Sequence, residues 1–74
     1  MTPVAEYDAS GLHCPLPMIR AAKKLKALDV GDVLKVVATD IGALSDMPAM
    51  CNQNHYELLD QQQADGKFVF LIRK

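Results

Sequence analysis

The chain alternates between two hydrophobic periods. In residues 4–9, Ala5, Tyr7 and Ala9 fall on one side and Glu6 and Asp8 on the other, the period-two pattern of a short strand. Ser10-Gly11 breaks it. Over residues 15–28 the period lengthens to that of a helix: Met18, Ala21, Ala22, Leu25 and Leu28 form an apolar stripe, with Arg20, Lys23 and Lys24 opposite. Val30-Gly31-Asp32 turns the chain into residues 33–39, where Leu34, Val36 and Ala38 alternate with Val33, Lys35 and Val37, so that both faces of this strand are largely apolar. Residues 40–54 return to helical spacing, because Ala43, Met47, Met50 and Cys51 stand at i, i+4, i+7 and i+8. Pro48 bears on where that helix starts. An N-cap at Ser45 places Pro48 at N3, where a missing N–H is harmless, and leaves residues 40–44 irregular. Residues 56–62 read as a strand, Ala64-Asp65-Gly66-Lys67 as a hairpin turn and residues 68–73 as a last apolar strand.

The order β-α-β-α-β-β predicts an α/β chain of the α+β two-layer sandwich type. Each strand-helix-strand unit implies a parallel pair with a right-handed crossover, and the terminal hairpin implies an antiparallel one. The result is a mixed four-stranded sheet with both helices on one face. Val33, Val37, Leu59, Val69 and Leu71 then belong to the other face, where two short helices cannot hide them all. Such a face suits a docking surface or a weak homodimer; the alternative is a monomer.

Length and composition narrow the function classes. At 74 residues the chain is expected to form one domain over residues 1–74, burying about 60% of the surface its unfolded form exposes, with no room for a large cleft. No repeat or linker divides it. Half of the residues are hydrophobic and 23% charged, which argues against disorder. A net charge of −1 gives no global reason to expect direct nucleic-acid binding. The start of the chain lacks the basic and apolar regions of a signal peptide, and the longest bulky apolar run, residues 68–72, is far below the roughly 20 residues that span a bilayer. Two cysteines, Cys14 and Cys51, are too few for a disulfide framework. These features predict a cytoplasmic protein with no membrane association.

The chemistry concentrates at the start of the first helix, in Ser10-Gly11-Leu12-His13-Cys14-Pro15-Leu16-Pro17. A cysteine at a helix N-terminus lies near unpaired N–H groups and the positive end of the helix dipole, which favour thiolate. Pro15 at N1 pre-sets helical geometry, and Pro17 removes an N–H that the first turn does not use. Leu16, preceding Pro17, is disfavoured in the α region. Cysteine followed by Pro-x-Pro departs from the usual Ser, Thr, Asp or Asn cap, a departure that points to function. An inert thiol beside a proline-rich turn is the alternative that the residues leave open.

Residues 8–17, Asp-Ala-Ser-Gly-Leu-His-Cys-Pro-Leu-Pro, resemble the signature of the TusA/SirA/YedF family of small sulfur-carrier proteins, with its Cys-Pro-x-Pro motif directly after the first strand. Chain length, element order, Asp46-Met47-Pro48 and the ending Phe70-Leu71-Ile72-Arg73-Lys74 extend the resemblance over nearly the whole chain. His13 occupies the variable position before the cysteine, and Ile41 stands where the family often has proline after the aspartate. The resemblance implies that Cys14 accepts sulfane sulfur as a persulfide and passes it on, a sulfurtransferase-type carrier acting stoichiometrically with no metal or organic cofactor. The implied partners are a donor protein, a cysteine desulfurase or a rhodanese-like protein, and an acceptor of the DsrE-like kind. Family pathways include tRNA thiolation, molybdenum-cofactor sulfur supply and dissimilatory sulfur oxidation.

Other residues carry competing roles. His13, protonated, would stabilise a thiolate, or it is a solvated turn residue. Cys51 shares its register with Ala43, Met47 and Met50, so it is expected in the core rather than as a resolving thiol. Cys14, Cys51, His13 and His55 raise a Cys/His metal-binding module as an alternative, weakened by the lack of Cys-x-x-Cys and by His55 lying past the helix end. Leu16 lies on the side of Arg20 and Lys23, an apolar anchor with a basic rim that suits docking. Asp8 and Asp40 follow the first two strands at the same sheet edge, where each either bonds loop amides or faces a partner. A non-catalytic interaction or regulatory module using the open sheet face is the other function class.

Overall fold

The computed structural model describes residues 3–13 and 15–74. Six elements follow in the expected order: β1 (Ala5–Ala9), α1 (Leu16–Lys26), β2 (Val33–Ala38), α2 (Ala43–Gln53), β3 (Glu57–Ala64) and β4 (Lys67–Arg73). They form a two-layer α+β sandwich, with one four-stranded mixed sheet in the order β1-β2-β4-β3. Both helices pack on one face, where Met18, Ala21 and Leu25 of α1 and Met47, Met50 and Cys51 of α2 meet Leu34, Val36, Phe70 and Ile72 of the sheet.

β1 and β2 pair in parallel through the α1 crossover, as the pattern predicts. The second unit differs. β2 and β3 run in the same direction but are not neighbours, because β4 lies between them and is antiparallel to both. The reason is burial. β4 alternates fully buried Phe70 and Ile72 with half-buried Val69 and Leu71, whereas five residues of β3 are exposed. A central strand is covered on both edges and suits the apolar segment; the Gln-rich segment takes the edge. A helix about 10 Å wide crosses two strand spacings, about 9.6 Å, without strain.

The α2 boundary is also corrected. The helix begins at Ala43, with Gly42 rather than Ser45 as N-cap, and Pro48 stands inside it. The start is wound tightly: the Gly42 N–H donates to Asp40 Oδ1 at 3.3 Å and the Ala43 N–H to the Asp40 carbonyl at 3.0 Å. These local bonds support the first turn that sequence spacing assigns to an irregular segment. At the other end, the Tyr56 N–H donates to the Cys51 carbonyl at 2.8 Å and the His55 N–H to the Asn52 carbonyl at 3.4 Å, while His55 has φ 61°. This is a Schellman closure with histidine where glycine is the usual residue.

The hairpin turn is tighter than the four residues expected. Asp65 and Gly66 alone connect β3 to β4, both with positive φ (52° and 75°), the type I′ geometry that matches strand twist. A bulge between Leu58 and Asp60 keeps Leu58 opposite Ile72 on the helix side and turns Asp60 outward opposite Leu71. The outer face accordingly has a polar frame. Lys35 and Asp60 flank Leu71, Asp8 and Gln62 flank the Val37–Val69 pair, and Glu57 pairs with Arg73. Val33 is buried, and Val37, Leu59, Val69 and Leu71 are half-buried. As expected, the helices do not hide all five, and Val37, Leu59, Val69 and Leu71 keep part of their surface open within this polar frame.

Two stability changes follow. His55→Gly relieves a left-handed side-chain position and is expected to add about 1 kcal/mol, raising Tm by about 4–8 °C in a thermal melt. Phe70→Ala removes a fully buried ring from the central strand. Its expected loss of about 3–5 kcal/mol approaches the whole stability of a small domain, and urea titration at 25 °C should show a large unfolded fraction without denaturant.

Candidate functional site

The C-terminal ends of the parallel strands β1 and β2 deliver their following loops to one edge of the sheet. The first of these loops is pinned from both strands. Asp8 Oδ1 accepts the Ser10 N–H at 2.9 Å, Thr39 Oγ1 accepts the Gly11 N–H at 2.8 Å, and the Ala9 carbonyl accepts the Leu12 N–H at 3.1 Å. Gly11 has φ 83°, a conformation that side-chain-bearing residues resist. Hydrogen bonds from Ser10, reinforced by the charge of Lys67, hold the Asp8 carboxyl below the usual carboxylate range. Its charge therefore persists into mildly acidic solution, and its loop-bracing contribution is lost only as pH falls through that lowered value.

Cys14, the predicted nucleophile, lies outside the described residues. Its neighbours on both sides are placed. His13 is exposed, and its carbonyl accepts the Leu16 N–H at 2.9 Å. Pro15 is exposed and takes the N-cap position of α1 (φ −97°, ψ 11°), not N1, and Pro17 takes N2, where no intrahelical N–H is required. Pro17 is fully buried. The two prolines thus divide the work: Pro17 anchors the helix start in the core, Leu16 is helical despite preceding it and is held by its bond to the His13 carbonyl, and Pro15 stays at the surface. Among the described residues no side chain caps α1, and its first turn contains no acidic residue.

Beyond this start, α1 presents Leu16, Arg20 and Lys23 to solvent, with Leu16 41% exposed. Ile19, 58% exposed, joins Pro15, Met18 and Ala22 along a shallow groove completed by Ala49 and Met50 of α2. The sequence pattern does not single out Ile19, since it falls between the apolar stripe and the basic face. Thr39 is also missed by sequence reasoning, although a hydroxyl residue just after β2 at the loop-bearing edge is the available signal.

The remaining candidates separate. Asp40 is half-buried and engaged in the turn before α2. Cys51 is 2% exposed, and burial pushes its thiol up to about 11. It packs in the core as expected. His55 is exposed beyond the end of α2, so it does not share a helix face with Cys51. Among the described residues no group of three or more His, Cys, Asp or Glu side chains is placed to hold a metal ion. No helix among the described residues is long and apolar enough to cross a membrane.

Fold and loop together define a small two-layer α+β protein in which Pro15 and Leu16 are exposed at the start of α1. The family described as "Sulfurtransferase TusA" matches residues 5–74, and the chain belongs to it. It is 51% identical over 69 residues to the "Sulfur carrier protein TusA" of Allochromatium vinosum, a match covering 93% of this chain and 91% of that one. The protein of the same name from Pseudomonas putida is 44% identical over 73 residues, covering 99% of this chain and 91% of the relative. The crystal structure of a SirA-like protein from Desulfitobacterium hafniense superposes with a TM-score of 0.85 at 28% identity, covering 95% of this chain and 96% of that one.

Burial of Cys51 gives a pH prediction. Its folded value is raised from 9.0 to about 11, so the neutral thiol contributes stability that is fully present below pH 9 and lost as pH rises toward 11. Denaturant midpoints measured from pH 7 to 11 should fall more steeply above pH 9 for the natural chain than for Cys51→Ala. Equal slopes would show that Cys51 does not titrate differently on folding. The Thr39 anchor gives another: Thr39→Val removes the acceptor for the Gly11 N–H, with an expected loss of about 1 kcal/mol and faster amide exchange at Gly11.

Proposed function

We propose that Cys14 is the sulfur-bearing residue of this TusA-family sulfur carrier, held as a persulfide between a donor and an acceptor protein. The observation that carries the reading is the Cys-Pro-Leu-Pro segment at the head of α1 in a chain of this family. The helix begins two residues after Cys14, where the positive end of its dipole favours a thiolate, and its own first turn carries no acidic residue. Relatives named as sulfur carriers support the same reading.

The transfer balances without a redox partner. The Cys14 thiolate attacks the outer sulfur of a donor persulfide, the donor S–S bond breaks, and the donor leaves as a thiolate. Cys14 then carries the terminal sulfur. An acceptor thiolate attacks that atom, and the Cys14 thiolate leaves unchanged. Residues 1–74 act as one domain in this cycle, in a cytoplasm that keeps thiols reduced. A cysteine desulfurase or rhodanese-like donor and a DsrE-like acceptor fit it.

Docking falls to the ridge beside Cys14. Leu16 supplies an apolar anchor, Arg20 and Lys23 a basic rim, and His13 and Pro15 the exposed flanks, with Pro17 as the buried hinge of the segment. Asp40 stands in the neighbouring loop, where its turn bond sets the loop's shape. The alternative, an interaction module working through the open sheet face, rests on the half-buried Val37, Leu59, Val69 and Leu71 and is the less supported, because the family and its relatives are described as sulfur carriers.

Intact-mass measurement after exposure of the reduced chain to a persulfide donor tests the assignment. One added sulfur atom is expected in the natural chain and in Cys51→Ser, and none in Cys14→Ser; an unlabelled natural chain refutes it. The Arg20→Glu/Lys23→Glu pair should slow protein-to-protein transfer by about tenfold or more while leaving alkylation of Cys14 by a small neutral reagent unchanged. Equal transfer rates would remove the ridge from docking.

A further inference from the structure

The sheet order leaves β1 at an edge, so alternate backbone N–H and C=O groups of Ala5–Ala9 turn away from β2. The α1 surface beside this edge is unusually charged. Tyr7, on the helix side of β1, lies in a cleft whose other lining residues are Arg20, Lys23, Lys24 and Ala27. Lys24 Nζ sits 5.1 Å from the centroid of the Tyr7 ring, which fixes one cation directly over the strand. All three basic side chains are exposed, and none forms an ion pair among the described residues, where the salt bridges are Lys35 with Glu6 and Arg73 with Glu57. No carboxylate lines the cleft. Three of the chain's eight Lys and Arg residues are thus gathered, uncompensated, along one open strand edge.

The opposite side of β1 carries two carboxylates, Glu6 in a 4.0 Å pair with Lys35 and Asp8 accepting the Ser10 N–H. Glu6 and Asp8 project there, at the positions that alternate with Ala5, Tyr7 and Ala9. A strand added to this edge would place every second side chain beside the cations and the intervening ones beside the carboxylates. We propose that the β1 edge takes up an extended segment of a partner protein as a fifth strand, with acidic residues at alternate positions facing Arg20, Lys23 and Lys24. Neutral or basic residues fall between them, facing Glu6 and Asp8. Main-chain bonds supply the pairing, and the alternation of sign selects the sequence and its register. A nucleic-acid strand fits less well, since its phosphates offer no such alternation and the chain carries a net charge of −1.

The surface shares Arg20 and Lys23 with the docking ridge and so deepens that reading by giving the partner's chemistry. Its test needs no sulfur transfer, and the two can therefore fail separately. The probe is a fluorescein-labelled nine-residue peptide alternating Glu with Thr and Lys, titrated into the full chain carrying Cys14→Ser. Saturable anisotropy is expected, with shifts and slowed hydrogen exchange of alternate β1 amides in ¹⁵N spectra. Arg20→Glu/Lys24→Glu should weaken binding by about tenfold or more. Peptides N-methylated at alternate residues, made in both frames, leave the protein untouched: one frame should abolish binding and the other should be tolerated. Equal binding by both frames, tighter binding of a charge-matched oligothymidylate, or no saturable binding would overturn the proposal.

Discussion

The burial of β4 in the core beneath the helical layer is the constraint from which the architecture follows. Phe70 and Ile72 are fully buried, and Phe68 nearly so, at the centre of a sheet that has few other large side chains to offer. A strand of this composition is most stable with neighbours on both edges and helices over one face. Its position sends the polar β3 to one edge and forces α2 to carry the chain across two strand positions. β1 and β2 then share the other half of the sheet in parallel, and that parallel pairing brings the loops after both strands to one edge.

The same arrangement explains how so small a protein supports chemistry. With no room to enclose a substrate, it pins a short loop instead, using Asp8 and Thr39 from two adjacent strands and a glycine in a left-handed conformation. Pro17 transmits the rigidity of the core to the helix start, while Pro15 and Leu16 remain at the surface. A sulfur carrier needs this combination of a fixed approach and an accessible reactive group, since the rest of each active site belongs to its partners. Helix α1 joins the two requirements: one side is core, and the other holds the basic and apolar residues available for recognition.

The two cysteines illustrate how environment assigns chemistry to a residue type. Cys51 is surrounded by apolar side chains, and its thiol is pushed up to about 11, so near neutral pH it behaves as a small hydrophobe. Cys14 belongs to a segment whose flanking residues are exposed at the start of a helix.

Read by itself, the sequence determined the kinds and order of the elements, the side of each helix that faces the core, the burial of Cys51 and the family motif around Cys14. These rest on local periodicity and on residues close together in the chain, such as Ala43, Met47, Met50 and Cys51. Tertiary structure alone decided that β4 separates β2 from β3, because that choice compares the burial of the two hairpin strands within the assembled sheet. It also moved the start of α2 to Ala43, turned Asp60 outward through a bulge, and revealed Thr39 as the anchor of the loop before Cys14. A contact between Gly11 and Thr39, 28 residues apart, has no local signature. The basic cleft beside Tyr7 likewise exists only once α1 has packed along the edge that β1 leaves open.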